Sequence, residues 1–152
     1  LIRRQLQTEF IKLSKQMKKT TVFITHDLDE AVRVGHRIAI MRDGSVVQIG
    51  TPEEIVVNPA DDYVADFVKG ISRMKVVQAK TIMQPLKDYK KNFGENVGNN
   101  EIVNENDILS KLIETSVSEN KPIIVHNNDS EEVGIITQSD LLKAVVEGND
   151  NE

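Results

Sequence analysis

The sequence predicts an α/β segment followed by a smaller α+β domain with the element order βαββα. In the first part, apolar residues recur every three or four positions over residues 2–17, and a short β-branched run, TVFIT, occupies residues 21–25. An amphipathic helix followed by a strand that is covered on both faces is typical of α/β sheets. In the second part, apolar runs at residues 122–126 and 133–137 are separated by turn residues and flanked by helical patterns. We place the boundary between the two domains after residue 72.

Composition restricts the class of protein. The 152 residues carry a net charge of −5 with acidic and basic side chains interspersed, which predicts no nucleic-acid partner. The absence of cysteine excludes disulfides and thiolate metal sites. Because His36 and His126 have no spaced partner, we expect no metal site and place both at the surface or in caps. The longest apolar run, residues 38–41, is far shorter than the roughly 20 residues that span a bilayer, which predicts a cytoplasmic protein.

The first helix is already amphipathic at the start of the sequence. The chain begins with Leu1 instead of a methionine, and the apolar face follows at once. This pattern predicts a piece of a longer protein. The apolar face consists of Ile2, Leu6, Phe10, Leu13 and Met17.

A histidine follows the predicted strand. His26 stands at the carboxyl end of residues 21–25, where open α/β sheets place their ligands. Asp27, Asp29 and Glu30 come next, in the first turn of a helix, where free N–H groups favour negative charge. His26 is therefore either a functional group in a crevice or a side chain that only closes the strand end through a hydrogen bond.

A hairpin and a short helix come next. Residues 37–42 and 45–50 are expected to be its strands, because Asp43-Gly44 between them tolerates the positive φ angles of a two-residue type I′ turn. The sequence TPEE at residues 51–54 predicts an N-cap threonine and a proline at the first helical position.

The order of these elements resembles a known family. The stretch TVFITHDLDEAVRVGHRIAIMRDGSVVQIGTPEEIVVNPADDYVADFV is similar to the C-terminal part of the ATP-binding subunit of ABC transporters, over roughly residues 1–70. The piece NPADDYVADFVKG resembles the glycine betaine/proline uptake branch. The resemblance implies that His26 donates a hydrogen bond to the ATP γ-phosphate and helps to position the attacking water. It also implies a longer parent that binds ATP and Mg²⁺, associates with transmembrane permease subunits, and lies peripherally on the inner face of the cell membrane.

Three motifs that this chemistry needs are absent from the 152 residues. The sequence contains no G-x-x-x-x-G-K-[ST] phosphate loop, no L-S-G-G-Q signature and no apolar strand that ends in Asp-Glu. Without a phosphate cradle and a magnesium ligand, we expect this chain by itself to be inactive as an ATPase, although the parent is an ATPase coupled to transport.

The second part is expected to begin with a connector and a loop. Residues 85–100 are polar and lack a sustained apolar period, which predicts a mobile loop. Asn106 is expected to cap a helix over residues 107–115, and Ser139 to cap a closing helix over residues 140–147. The closing helix is expected to bury Leu141, Leu142 and Val145.

Residues 79–147 resemble one cystathionine-β-synthase (CBS) motif with an insertion in the polar loop. The most specific piece is GIITQSD, because in nucleotide-binding CBS modules the threonine and the aspartate three residues later face the ribose and phosphate. This resemblance assigns Thr137 and Asp140 to a site for an adenine nucleotide or a cyclic dinucleotide. The other interpretation is that Thr137, Ser139 and Asp140 form only a helix cap.

A single CBS motif implies pairing with a second copy, because such motifs normally form two-fold discs. We therefore expect a homodimer in which the helix faces carrying Leu109, Leu112, Leu142 and Val145 associate. Two functions follow from the sequence. The first is the C-terminal part of the ATP-binding subunit of an osmoprotectant importer, with a CBS unit that regulates transport. The alternative is a stand-alone CBS-type module that senses adenine nucleotides and performs no catalysis.

Overall fold

The computed structural model describes residues 2–93, 100–118 and 121–146. The chain divides into two compact units, residues 1–68 and residues 69–152. We call them unit 1 and unit 2. Within the described ranges, no helix is long and apolar enough to cross a membrane.

Unit 1 contains four helices and one hairpin among its described residues. In chain order the elements are α1 (Ile2–Met17), α2 (Leu28–Val34), β1 (Ile38–Arg42), β2 (Ser45–Gly50), α3 (Pro52–Val57) and α4 (Asp62–Val68). The hairpin and the last two helices supply its small core, in which the buried side chains are Ile38, Ile40, Ile55, Val64 and Val68.

The turns of unit 1 form as the sequence predicts. Asp43 and Gly44 have φ angles of 52° and 78°, which confirms the positive φ values that a type I′ hairpin turn requires. At the start of α3, the Thr51 hydroxyl accepts a hydrogen bond from the Glu54 N–H, and the Glu54 carboxylate accepts one from the Thr51 N–H. This reciprocal capping box, with Pro52 at the first helical position, confirms the predicted helix start.

The predicted strand at residues 21–25 is wrong for this chain. The segment forms no ladder with any strand that the structure describes, and it connects α1 to α2 without regular secondary structure. Val22 and Ile24 are 84% and 92% exposed. A strand exists only where neighbouring strands take up its N–H and C=O groups, so the apolar pattern alone could not produce one.

Unit 2 contains a four-stranded sheet. A 3₁₀ turn (Arg73–Lys75) precedes α5 (Ala79–Ile82), β3 (Gln84–Pro85), α6 (Leu86–Phe93), β4 (Ile102–Asn104), α7 (Leu109–Ser118), β5 (Ile123–His126), β6 (Glu132–Ile136) and α8 (Gln138–Val146). The strand order is β3-β6-β5-β4, in which β4 is parallel to β5 and the other neighbours are antiparallel. The order β4-α7-β5-β6-α8 matches the predicted βαββα order.

The predicted loop at residues 85–100 is wrong in its first half. Residues 86–93 form α6, while residues 94–99 lie outside the described residues. Leu86 is buried beside Ile124 and Ile135, and Tyr89 packs against the same cluster. Two apolar side chains three positions apart are enough to attach one helical turn to a sheet, although they are too few to create a sequence period.

Both predicted caps in unit 2 are also wrong. The first long helix begins at Leu109, so Asn106 does not cap it; its side chain instead bonds to Asn104. The closing helix begins at Gln138, and its cap is Thr137 in place of Ser139. The two errors have different reasons: the Leu109 N–H donates to the Val77 carbonyl oxygen at 2.8 Å, whereas at α8 the Thr137 hydroxyl accepts from the Asp140 N–H.

Burial along α8 differs in part from the prediction. Leu141 is buried as expected, Val145 is partly buried, and Leu142 is 65% exposed. Leu109 and Leu112 have no exposed surface, because α7 packs them into the core of unit 2. They therefore cannot contribute to the association surface that the sequence assigned to them.

Candidate functional site

Each unit carries one candidate site, and the two are described separately. In unit 1, His26 is exposed at the junction between residues 21–25 and α2. The residues on both sides of it are hydrogen-bonded. The Thr25 hydroxyl accepts from the Asp27 N–H at 3.0 Å, and the Asp27 carboxylate, as N-cap of α2, accepts from the Glu30 N–H at 3.2 Å. His26 is thus presented outward from a fixed turn.

Glu30 is a structural residue that the sequence reasoning missed. It is buried, with 7% of its surface exposed, and its two carboxylate oxygens accept hydrogen bonds from Gln7 at 2.8 Å and from the Thr25 hydroxyl at 2.6 Å. These contacts connect α1, the His26 turn and α2. A first-turn acid already has a sufficient explanation in the helix dipole, and no local signal indicates a partner 23 positions away in the chain.

In unit 2, the structure brings Thr137 and Asp140 together. The Thr137 hydroxyl donates to Asp140 Oδ2 at 2.6 Å, and the Thr137 N–H donates to the same oxygen at 2.9 Å. In return, the Asp140 N–H donates to the Thr137 hydroxyl at 3.3 Å. The pair therefore forms a reciprocal N-cap at the start of α8, which is the geometry of the cap interpretation.

A third residue, Gln84, completes this cluster. Its side chain in β3 donates from Nε2 to both Asp140 oxygens, at 3.0 and 2.9 Å. The sequence reasoning missed Gln84, because it lies 56 positions before Asp140 and directly precedes the predicted loop at residues 85–100. Its position follows from the antiparallel pairing of Gln84 with Ile135, which places β3 beside the strand that leads into α8.

The hydrogen bonds keep Asp140 ionised. Burial acts to raise the pKa of the carboxyl, but hydrogen bonds from Thr137 and Gln84 and the nearby charge of Lys143 together outweigh it, so the pKa lies below the usual 3.8. An ionised carboxylate is a pure acceptor, and the adjacent N-terminus of α8 favours anions. The carboxylate can accept hydrogen bonds from sugar hydroxyls where a ligand replaces one of its present donors.

Another polar cluster of unit 2 fixes the turn between β4 and α7. Asp107 accepts hydrogen bonds from the Asn104 N–H at 2.9 Å and from Lys111 Nζ at 2.7 Å. Burial acts to raise the pKa of the Asp107 carboxyl, and these two partners reverse the effect, so the pKa is lowered. Asp107 therefore closes the turn between β4 and α7.

The remaining histidines do not gather into a site. His36 is exposed, as expected, whereas His126 at the end of β5 is partly buried, with an Nε2 atom that has no hydrogen-bond partner among the described residues. No group of three or more metal-ligating side chains occurs in the part of the chain that the structure describes.

Comparison with known proteins gives relatives of this chain. No family model matches the chain. The trimethylamine N-oxide transport system ATP-binding protein TmoW of Pelagibacter ubique is 37% identical over 150 residues, covering 95% of this chain and 40% of the relative. The glycine betaine/carnitine transport ATP-binding protein GbuA of Listeria monocytogenes is 53% identical over 83 residues, 55% of this chain and 21% of the relative. The glycine betaine/proline betaine transport system ATP-binding protein ProV of Escherichia coli is 55% identical over 82 residues, 54% of this chain and 20% of the relative.

These matches confirm the resemblance to ATP-binding subunits of ABC transporters. The homologues of this chain are ATP-binding subunits of ABC transporters. Within that class they belong to the betaine and osmoprotectant branch, with about half of the residues identical over about half of the chain. The chain spans 40% or less of the length of these relatives. Because the TmoW alignment covers 95% of the chain, it includes residues of both units.

Proposed function

We propose that this chain is the C-terminal part of the ATP-binding subunit of an ABC importer for osmoprotectants of the glycine betaine/proline type, with unit 2 as a CBS domain that regulates transport. The observation that carries the proposal is the match to TmoW, which extends through both units. A stand-alone nucleotide-sensing module would need unit 2 alone, so the match favours the transporter. The whole subunit would bind ATP and Mg²⁺, act with transmembrane permease subunits, and lie at the inner face of the membrane.

Within this proposal, His26 acts on the γ-phosphate of ATP. This role is supported by the exposed position of His26 on its turn. Hydrogen bonds among Thr25, Asp27 and Glu30 hold that turn in place. A ring N–H can donate to a phosphate oxygen, and a turn held in advance costs little reorganisation when the donor acts. The phosphate loop and magnesium ligands come from outside these residues, so the chain alone should release no phosphate above background.

The test of His26 uses the full-length subunit assembled with its permease in vesicles. His26→Ala should lower ATP turnover and betaine uptake by on the order of 10², as for loss of one preorganised donor, with little change in ATP affinity. His36→Ala is the matched control, because His36 is an exposed histidine outside the proposed site, and it should transport normally. Near-normal ATP turnover in the His26 variant would show that His26 has no role in ATP hydrolysis.

We also propose that unit 2 pairs with a second copy. Its exposed apolar side chains include Val117, Leu142 and Val146, which are 80%, 65% and 55% exposed. Leu142 and Val146 are four positions apart and share one face of α8. Burial of such side chains contributes roughly 25 cal/mol per Å² of apolar surface, before ordering costs.

Light scattering on the chain tests this pairing. The chain should be dimeric at tens of micromolar concentration, and Leu142→Asp should make it monomeric because a buried unpaired charge opposes association. Val46→Asp changes another exposed apolar side chain, which lies in unit 1, and this control should remain dimeric. A monomeric unchanged chain would refute the pairing.

The proposed regulatory ligand of unit 2 is an adenine nucleotide or a cyclic dinucleotide at Thr137 and Asp140. The support is the ionised carboxylate beside the N-terminus of α8. The cap geometry also explains this pair without a ligand, so binding must be measured. Asp140→Ala should abolish nucleotide binding in calorimetric titrations, whereas Asp129→Ala, an exposed turn residue, should not. Equal nucleotide binding by both variants would show that the ligand does not bind at Asp140.

A further inference from the structure

The Asp140 carboxylate accepts four hydrogen bonds from residues of the same unit. Oδ2 accepts hydrogen bonds from the Thr137 hydroxyl, the Thr137 N–H and Gln84 Nε2, and Oδ1 accepts from the same Gln84 nitrogen. An ionised carboxylate has about four lone-pair sites. Oδ2, with three donors, therefore has no acceptor site left, whereas Oδ1 has one donor and keeps a second site.

A vicinal diol requires the same edge of the carboxylate. Its two adjacent hydroxyls are donors that fit the two oxygens of one carboxylate, which is the pattern that Gln84 Nε2 occupies. Because Thr137 and Gln84 already saturate Oδ2, a diol that donates to both oxygens must displace Gln84 from Oδ2.

The two protein donors to Asp140 differ in how easily they can leave. Thr137 is three positions away, and its bonds form the cap of α8, so its release would expose helix N–H groups. Gln84 reaches Asp140 through a long side chain from an edge strand of two residues. Its strand remains paired to β6 through the backbone when the side chain rotates away. Gln84 is thus the exchangeable donor.

We propose that Gln84 is an internal competitor for the diol of the ligand, and that it sets the affinity of the site and its requirement for a ribose. This inference rests on the proposed nucleotide site at Thr137 and Asp140. The ligand exchanges one set of hydrogen bonds on Asp140 for another, so the net gain is small and the site responds only to high nucleotide concentrations. A diol replaces both Gln84 contacts, whereas a sugar without hydroxyls leaves Gln84 in place and gains nothing from Asp140.

Calorimetric titration of the whole chain with ATP and with 2′,3′-dideoxy-ATP tests this competition. Gln84→Ala and Gln84→Leu both remove the amide, and the leucine variant keeps most of the side-chain volume. Each should bind ATP about tenfold more tightly than the unchanged chain, the order of effect of one hydrogen bond to a charged group. Neither should bind the dideoxy nucleotide more tightly. Gln138→Ala is the matched control, because Gln138 is an exposed glutamine in the first turn of α8, and it should bind ATP as the unchanged chain does.

The possible results separate this inference from the function on which it rests. If the unchanged chain binds ATP and both Gln84 variants bind it equally or more weakly, the competition is refuted and the nucleotide site stands. If both nucleotides gain affinity equally, the effect does not involve the diol and the inference is wrong. If none of the proteins binds ATP, the site for an adenine nucleotide with a free ribose diol is refuted, and the role of Gln84 with it. Thermal unfolding of each variant verifies that the compared proteins are folded.

Discussion

Both units have apolar patterns in their sequences, but the two differ in how much of the apolar surface is covered by other elements. Unit 2 has a four-stranded sheet whose helices cover fully buried side chains, including Leu109, Leu112, Ile123, Ile135 and Ile136. Unit 1 has a two-stranded sheet, and large apolar side chains of α1 and residues 21–25 remain exposed. Leu6 is 66% exposed, and Ile24 is 92% exposed. An apolar pattern stabilises a fold only when another element covers it.

The exposed face of unit 1 agrees with the proposed origin of the chain. Contiguous apolar surface on a folded protein marks a place where another element or partner packs. The relatives are much longer than this chain, which spans 40% of TmoW and 20% of ProV. We infer that the remaining part of such a subunit would supply strands beside residues 21–25 and cover α1.

Producing the two units as separate proteins should show the largest difference in folding between them. Residues 69–152 should give a dispersed NMR spectrum, because their sheet and core are internal to unit 2. Residues 1–68 should be poorly folded or aggregate, because α1 and residues 21–25 lack covering elements. A well-dispersed spectrum from residues 1–68 alone would contradict the comparison between the two units.

A matched pair of leucine truncations should give the next largest effect. Leu112→Ala in unit 2 removes a side chain with 0% exposure and should cost about 2–5 kcal/mol in the free energy of unfolding. Leu13→Ala in unit 1 removes a side chain that is 54% exposed and should change that free energy by less than about 0.5 kcal/mol. Urea unfolding followed by NMR signals from each unit measures both, and equal losses would show that α1 is covered in solution.

A glycine of unit 2 tests how closely its sheet is packed. A Cβ at Gly134 in β6 would overlap Met83 Sδ and would lie 2.8 Å from Met83 Cγ and 3.1 Å from the Gln84 carbonyl oxygen. Gly134→Ala should therefore cost about 1–3 kcal/mol in the free energy of unfolding. A Cβ at Gly70 would meet nothing within 4 Å, so Gly70→Ala is the control and should be tolerated. An unchanged midpoint of urea unfolding in the Gly134 variant would show that Met83 moves aside freely.

The smallest expected effect is the pH dependence of the Asp140 cap. Hydrogen bonds lower the folded-state pKa of Asp140 below 3.8, so its stabilisation is complete above the unfolded pKa and is lost as the pH falls through the folded pKa. Thr137→Val should therefore lower the stability of unit 2 at pH 7 and have less effect near pH 3.

Thr115→Val provides the control for this pH dependence. The Thr115 hydroxyl donates to the neutral Lys111 carbonyl oxygen at 2.9 Å. The variant should therefore lose the same free energy of unfolding at both pH values. Urea unfolding at the two pH values measures both variants. If Thr137→Val lost the same free energy of unfolding at both pH values, the hydrogen bond between the Thr137 hydroxyl and Asp140 would not depend on the charge of the carboxylate.

Local patterns in the sequence were sufficient for many elements. Periodicity and turn residues correctly predicted the α1 helix, the hairpin with its Asp43-Gly44 turn, the capped start of α3, and strands β5 and β6. These features depend on interactions within a few residues, so the sequence determines them without knowledge of the rest of the fold. The pair Thr137 and Asp140 belongs to the same group, because three positions at a helix start bring the two side chains together.

Only the tertiary structure decided the features that depend on distant partners. The strand pattern of residues 21–25 lacks neighbouring strands in this chain, and Glu30 is satisfied by Gln7 across 23 positions. Gln84 reaches Asp140 across 56 positions, which no local pattern indicates. The sequence by itself determined the helices, turns and site pair that local geometry creates. The fold decided which apolar faces are covered and which donors reach Asp140, because sheet pairing and side-chain contacts join residues that are far apart in the chain.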